Sequence, residues 1–165
     1  MATYESLKRD FSERVTEELS YWRDLRSFVG YLPARLLIQF GVRGMSDIVK
    51  IGFLDESDSF QVADVSKLPM DSRDLKFSVR LELPPVEGLS KFYLLTHWGI
   101  QREGNGYKLT FLTGADKSKI KKFNTLTSAP TQSGDSVVKE VAEAIANEFS
   151  SVVSNYDYST TINKS

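Results

Sequence analysis

The sequence contains no cysteine and a single histidine in 165 residues. Without cysteine the chain can form no disulfide, no thiolate nucleophile and no cysteine-ligated zinc site, and a reducing compartment, the cytoplasm, is the expected setting. With one imidazole the chain has few groups that could transfer protons near neutral pH. These absences weigh against an enzyme, and no cofactor is predicted.

An excess of charge of one sign and a long hydrophobic run are also lacking. The 21 basic and 22 acidic side chains leave a net charge of −1, so no overall field attracts nucleic acid or anionic lipid. No segment approaches the roughly 18 apolar residues of a membrane span, and the charged N-terminus predicts neither a signal peptide nor an anchor. The 41% hydrophobic content is enough for one core. We predict a single soluble domain over residues 1–156, with a frayed tail over 157–165.

Apolar residues at steps of three or four predict a long amphipathic helix near the N-terminus. The helix is expected from about residue 4 to about residue 28, with Thr3 as its N-cap and with Gly30 and Pro33 as its stop signal. The predicted buried stripe consists of Tyr4, Leu7, Phe11, Val15, Leu19, Trp22, Leu25 and Val29. A second long helix, apolar over half of its circumference, is predicted over residues 137–153.

Between the helices the hydrophobic period changes to two, which predicts about six antiparallel strands. The first four predicted strands are 36–42, 48–54, 60–65 and 75–83. The chain is therefore expected to be an α+β domain, with an N-terminal helix, a mainly antiparallel meander sheet and a C-terminal helix packed on the sheet. Two arrangements stay open: helices on opposite faces of the sheet, or a curved sheet around the C-terminal helix.

The dipeptide Asn105-Gly106 is typical of a two-residue hairpin turn of type I′. This turn would place Glu103 opposite Lys108, which is a favourable pairing of opposite charges across two strands. The alternation of the two strands then directs one set of side chains to the core, namely Trp98, Ile100, Leu109 and Phe111. His97 is expected to point to the opposite, polar face of the sheet.

His97 is the one side chain that could serve as a general base near neutral pH. A serine hydrolase would need a strained elbow of the type Gly-x-Ser-x-Gly, and the sequence contains none. A lone histidine on the polar face of a strand is typically a half-exposed surface residue. His97 is therefore a catalytic candidate with little support from its neighbours.

Acidic residues concentrate in two successive turns, and Asp55 and Asp58 lie in the second. Carboxylates that approach one another could bind a metal ion. The segment lacks the glycine and the distal glutamate of a calcium loop, and aspartate is common in turns because its side chain bonds the local backbone. No metal site is predicted; Asp55 and Asp58 are the weak candidates in a cluster that also includes Asp47, Glu56 and Asp64.

Residues 115–124 are rich in lysine and are predicted to form a short helical turn, followed by a polar linker through residue 134. The lysines could neutralise the phosphates of a nucleic acid; they are Lys117, Lys119, Lys121 and Lys122. Arginine, the side chain suited to bidentate readout of bases, is absent from this run. A solvated lysine face is the more ordinary interpretation.

The sparse catalytic equipment favours a non-catalytic binding or interaction domain, which would recognise a protein partner, or a second copy of itself, through a sheet face or edge. Two alternatives stay open. One is a nucleic-acid-associated module that uses the lysine run 117–122. The other is a small-ligand-binding or hydrolytic protein with a pocket under the C-terminal helix, where His97 and Tyr93 would meet acidic turn residues. No contact with a membrane is predicted.

Overall fold

The computed structural model describes residues 2–44, 46–84, 91–104, 106–113, 117–124 and 136–154. These residues form two helices, α1 (Tyr4–Gln39) and α2 (Ser136–Ser154). They also form seven strands: β1 (Val49–Leu54), β2 (Phe60–Val62), β3 (Met70–Asp71), β4 (Asp74–Leu83), β5 (Phe92–Glu103), β6 (Gly106–Thr113) and β7 (Lys117–Asn124). The predicted α+β architecture is confirmed. The predicted linker after residue 124 and the predicted tail lie outside the described residues.

The sheet is open and antiparallel, with the strand order β2-β1-β4-β5-β6-β7, and the two-residue β3 pairs with β4. Both helices share one hydrophobic core with alternate residues of the strands, such as Phe77 and Trp98. The two helices therefore lie on the same face, and helices on opposite faces are excluded. In the described part of the chain the other face of the sheet carries no helix.

Helix α1 continues through Pro33 to Gln39, so the predicted strand over 36–42 is wrong. Leu32 and Leu36 are both fully buried, and a spacing of four residues brings side chains to one face of a helix. Proline lacks the N–H that would close a helical hydrogen bond, and burial of the leucines on either side offsets that loss. A short apolar run such as residues 36–42 fits a strand and a buried helix equally well, so its pattern alone could not distinguish the two.

The first half of α1 has the predicted apolar stripe but not the predicted burial. Leu25 and Val29 are buried, whereas no residue in the range 2–20 is. The exposed members of the stripe are Tyr4, Leu7, Phe11, Val15 and Leu19. Helical periodicity identified the correct face of the helix, but the partner that would cover its first half is not supplied by the described part of the chain.

Three smaller predictions also need correction. Residues 117–124 form strand β7, paired with β6 along its whole length, rather than a helical turn. Strand β2 ends at Val62, because Asp64 caps a 3₁₀ turn over Val65–Lys67. The hairpin register is shifted by two residues, since Glu103 pairs with Gly106 and not with Lys108.

The shift in register follows from the turn, which falls one residue earlier than predicted. Gly104 adopts a left-handed φ of 59°, the conformation that glycine tolerates best. A shift by two residues leaves every side chain on its predicted face. Trp98 and Phe111 are accordingly buried, as expected. No helix in the described part of the chain has the length and apolarity that crossing a membrane requires.

Candidate functional site

His97 lies on β5 directly opposite Ser78 of β4, on the face of the sheet that carries no described helix. The Ser78 Oγ atom is 2.7 Å from His97 Nδ1, and only 3% of Ser78 is exposed. Burial lowers the pKa of His97, and the negative charge of Asp58 opposes this shift in part. The imidazole is therefore predominantly neutral at pH 7, and it is held in place by a hydroxyl.

A cavity of about 230 Å³ opens beside this pair. Its walls include Leu54, Pro69 and Leu112, together with Lys76, whose Nζ atom lies 3.5 Å from a carboxylate oxygen of Asp74. Sites for drug-sized ligands usually measure about 300–1,000 Å³. The cavity is thus small and mainly apolar, and its polar side chains are those of Ser78, His97 and Lys76.

The surroundings of Ser78 do not suit acyl transfer. A serine nucleophile needs backbone or side-chain donors that stabilise the oxyanion of the tetrahedral intermediate. Ser78 lies in a strand that is paired on both sides, with Gly52 of β1 and His97 of β5. The backbone amides around it are committed to these two ladders. The geometry therefore suits a polar contact that fastens two strands together.

Arg80, two residues along β4, is held between two aromatic rings on the same face. Its guanidinium carbon is 5.0 Å from the ring centroid of Phe60 and 4.6 Å from that of Tyr93. These are cation–π distances, and both rings restrict the side chain. The Nε atom is buried and has no hydrogen-bond partner among the described residues. Arg80 is consequently oriented in advance of any contact with a ligand.

Gly52 explains how Phe60 reaches Arg80. A Cβ atom at position 52 would lie 1.9 Å from the carbonyl oxygen of Gln61 and 2.8 Å from Cζ of Phe60. The absence of a side chain therefore lets β2 and its phenyl ring lie close against β1. Tyr93, an aromatic residue at a polar-face position of β5, is the one sign of this cluster in the sequence.

The open face has more cations than anions along its strands. Strand register and alternation place four basic residues there, namely Lys50, Lys76, Arg80 and Lys108, and three acidic ones, namely Asp74, Glu82 and Glu103. Apolar side chains lie among them, with Leu95 36% and Val62 57% exposed. The face thus combines a small excess of basic groups with apolar contact area.

The acidic turn is organised by its own hydrogen bonds. Oδ1 of Asp55 accepts hydrogen bonds from the backbone N–H groups of Ser57 and Ser59, and Oδ2 accepts one from Gln61. These bonds, that from Ser59 foremost, hold the pKa of Asp55 below its usual value. Asp58 occupies the left-handed region with φ 58°. Within the described residues no group of three or more acidic or histidine side chains is placed to hold a metal ion.

The lysine run lies on β7, which ends the strand order next to β6. Register pairs Lys117 with Thr113, Lys121 with Leu109 and Lys122 with Lys108. A strand spaces successive residues by about 3.3 Å. The four lysines therefore extend along a strand, and the prediction that they share one helical turn is wrong.

The pocket predicted under the C-terminal helix does not contain the expected residues. A cavity of about 300 Å³ does lie beside α2, where Phe40 and Leu94 face Phe149. His97 and Tyr93 lie on the other face of the sheet and do not meet there. Comparison of the chain with protein-family models, with curated proteins and with solved structures finds no significant match.

Proposed function

We propose that this chain is a non-catalytic interaction domain that recognises an acidic protein partner through the open face of its sheet. The observation that supports the proposal most is the position of Arg80 between Phe60 and Tyr93. A guanidinium that is already oriented loses little conformational entropy on binding, and its planar fork matches a carboxylate. Arginine and tyrosine are also enriched among the residues that dominate protein interfaces.

The rest of the open face fits the same kind of partner. Lys50 lies beside Arg80 in the register of β1 and β4, and Leu95 lies beside it on β5. Basic groups around apolar side chains would meet a partner that presents carboxylates around an apolar patch. The cytoplasm stays the expected compartment, because the chain has no cysteine.

A nucleic acid is the less favoured partner for this face. Proteins that bind single strands stack bases on exposed aromatic rings. Here the guanidinium of Arg80 already lies over both Phe60 and Tyr93. The net charge of −1 also provides no general attraction for phosphates.

The test is affinity capture from the source cell with four baits: the native chain, Arg80→Ala, Arg80→Lys and the control Arg43→Ala. Arg43 is an exposed arginine in the loop after α1. We expect a protein that is retained by the native chain and by Arg43→Ala, weakened by Arg80→Lys and lost with Arg80→Ala. A melting curve for each bait shows that the domain is folded.

Three results would contradict the proposal. The same protein could be recovered equally with Arg80→Ala. Nuclease treatment could release all of the captured material, which would identify a nucleic acid. The captured protein could also lose its affinity on Phe11→Glu, a substitution on α1, while Arg80→Ala has no effect.

A further inference from the structure

The first half of α1 presents a continuous apolar stripe that the described part of the chain leaves uncovered. Tyr4 is 76% exposed and Phe11 70% exposed, and Leu7, Val15 and Leu19 continue the stripe. The segment is a well-formed helix start, since Thr3 caps it through a reciprocal hydrogen-bonded pair with Ser6. Its first long-range ion pair joins Glu18 to Arg73, at 2.6 Å.

The exposed apolar area of this stripe is large enough to form part of a protein interface. Five side chains of this kind and exposure present on the order of 500 Å² of apolar surface. Single helices of this length are marginal in water, and packing of an apolar face normally stabilises them. A standard interface buries about 800 Å² on each partner, so the stripe alone supplies more than half of that area.

We propose that residues 4–20 of α1 pair antiparallel with the same residues of a second copy of this chain. The stripe is nearly symmetrical about Phe11, because Leu7 and Val15 lie four residues to either side. A two-fold axis at Phe11 would therefore set Leu7 against the second copy's Val15, twice. A self-complementary patch of this kind is what a closed dimer requires.

The charges beside the stripe fit this arrangement. Asp10 and Arg14 lie on the same flank of α1, and both are exposed. In the antiparallel register each Asp10 comes within one helical turn of the second copy's Arg14 and also of the second copy's Asp10, so the two arginines offset the repulsion between the two carboxylates. Acidic residues outnumber basic ones in residues 4–20 by five to three. That balance does not suit an anionic membrane, for which amphipathic helices are rich in lysine and arginine.

The end of the stripe leads into a groove of about 630 Å³ between α1 and the segment before β4. Leu19, Trp22 and Met70 contribute to its apolar lining. The antiparallel register would bring the second copy's Tyr4 to Leu19, at the mouth of this groove. The pairing would thus bury an exposed aromatic residue at each end of the dimer.

Sedimentation velocity over a range of concentrations tests the pairing with the full chain. We expect a species of twice the mass of one chain. Phe11→Glu would place two carboxylates at the axis and should raise the dissociation constant about a hundredfold or more. The matched control is Val153→Glu, an exposed apolar position at the end of α2; it should leave the dimer intact. Circular dichroism checks that each variant keeps its helix content.

Exchanging the charges at positions 10 and 14 provides a second test of the dimer that does not alter its apolar stripe. Asp10→Arg should weaken the dimer, because it would face the second copy's Arg14. Adding Arg14→Asp to the same chain restores opposite charges across the axis and should restore the dimer. A double variant that dimerises no more tightly than the single one would overturn the antiparallel register.

The absence of cysteine makes the orientation directly measurable. A mixture of Leu7→Cys and Val15→Cys chains should form the mixed disulfide on mild oxidation, in preference to either symmetrical one. Dominance of the symmetrical Leu7→Cys disulfide would indicate a parallel pair and overturn the proposal. So would a chain that stays monomeric at about 100 μM, or one that sediments with phosphatidylcholine–phosphatidylglycerol vesicles through the same stripe. The Arg80 variants leave α1 untouched, so failure here is separate from failure of the proposed function.

Discussion

Ser78 and His97 form a hydrogen bond of 2.7 Å across β4 and β5, on the side of the sheet opposite the helices. Ser78 is only 3% exposed although it lies on the polar face of the sheet, and its hydrogen bond to His97 satisfies the buried hydroxyl. The lone histidine of the chain thus belongs to the cross-strand packing. Changes at His97 should therefore be measurable as changes in the stability of the domain.

Ser78→Ala should destabilise the domain. The substitution leaves the half-buried Nδ1 of His97 without its hydroxyl partner, and such a loss costs about 1 kcal/mol. Urea unfolding measures the change, and Ser20→Ala, on the exposed part of α1, provides a control that should shift the midpoint little. Equal midpoints for Ser78→Ala and the native chain would mean that the bond contributes nothing.

The imidazole should titrate below the ordinary histidine value of 6.5, because burial lowers the pKa of His97. Since this is the only histidine, one ring resonance in a proton NMR titration reports it without ambiguity. The unfolded chain binds the proton at a higher pH than the folded chain, so stability is complete above 6.5 and falls as the pH decreases toward the folded pKa. His97→Gln should lose this part of the pH dependence. A measured pKa at or above 6.5 would contradict the burial of the His97 ring.

Glycine at position 52 should be irreplaceable, whereas glycine at position 30 should not. A Cβ at Gly52 would lie 1.9 Å from the Gln61 carbonyl oxygen, so Gly52→Ala must separate β1 from β2 at a cost of about 1–3 kcal/mol. A Cβ at Gly30 would meet only Val65 Cγ1 at 3.8 Å. Gly30→Ala, within α1, should stabilise by about 0.5–1 kcal/mol. Thermal unfolding of both variants checks the contrast, and a reversed order would be inconsistent with the close β1–β2 contact.

Leu36 and Ile38 distinguish a helix from a strand at the end of α1. Leu36 is fully buried and Ile38 is 55% exposed. Residues two apart would share a face in a strand, but they lie on different faces of a helix. Leu36→Ala should therefore cost about 2–5 kcal/mol, and Ile38→Ala less than about 0.5 kcal/mol. Similar losses in urea unfolding would favour the strand.

The carboxylate of Asp55 should stabilise its turn and should not bind a metal ion. Asp55→Ala removes the acceptor for the N–H groups of Ser57 and Ser59 and should lower the melting temperature, while Asp55→Asn keeps one acceptor oxygen and should lower it less. Because these hydrogen bonds depress the pKa of Asp55 in the folded chain, their contribution is present above the unfolded value of 3.8 and is lost as the pH falls through the folded pKa. Millimolar calcium should not change the melting temperature. A calcium-dependent rise that Asp55→Ala abolishes would instead point to a metal ligand.

The sequence by itself determined the elements whose periodicity is unbroken. Strand β4 alternates through Leu75, Phe77 and Val79, and α2 repeats its apolar positions around half of its circumference, so each pattern fits one structure only. The hairpin faces were also determined, because a register error of two residues does not change the parity that sends Trp98 inward.

The tertiary structure decided the features that depend on contacts between residues far apart in the sequence. Residues 36–39 are helical because the helix buries Leu36 in the shared core. Strand β7 forms because its backbone pairs with β6 at eight positions. The exposed half of α1 has a periodicity as good as its buried half. Local sequence specifies which face of a helix is apolar, but the extent of α2 and of the sheet determines how much of that face is covered.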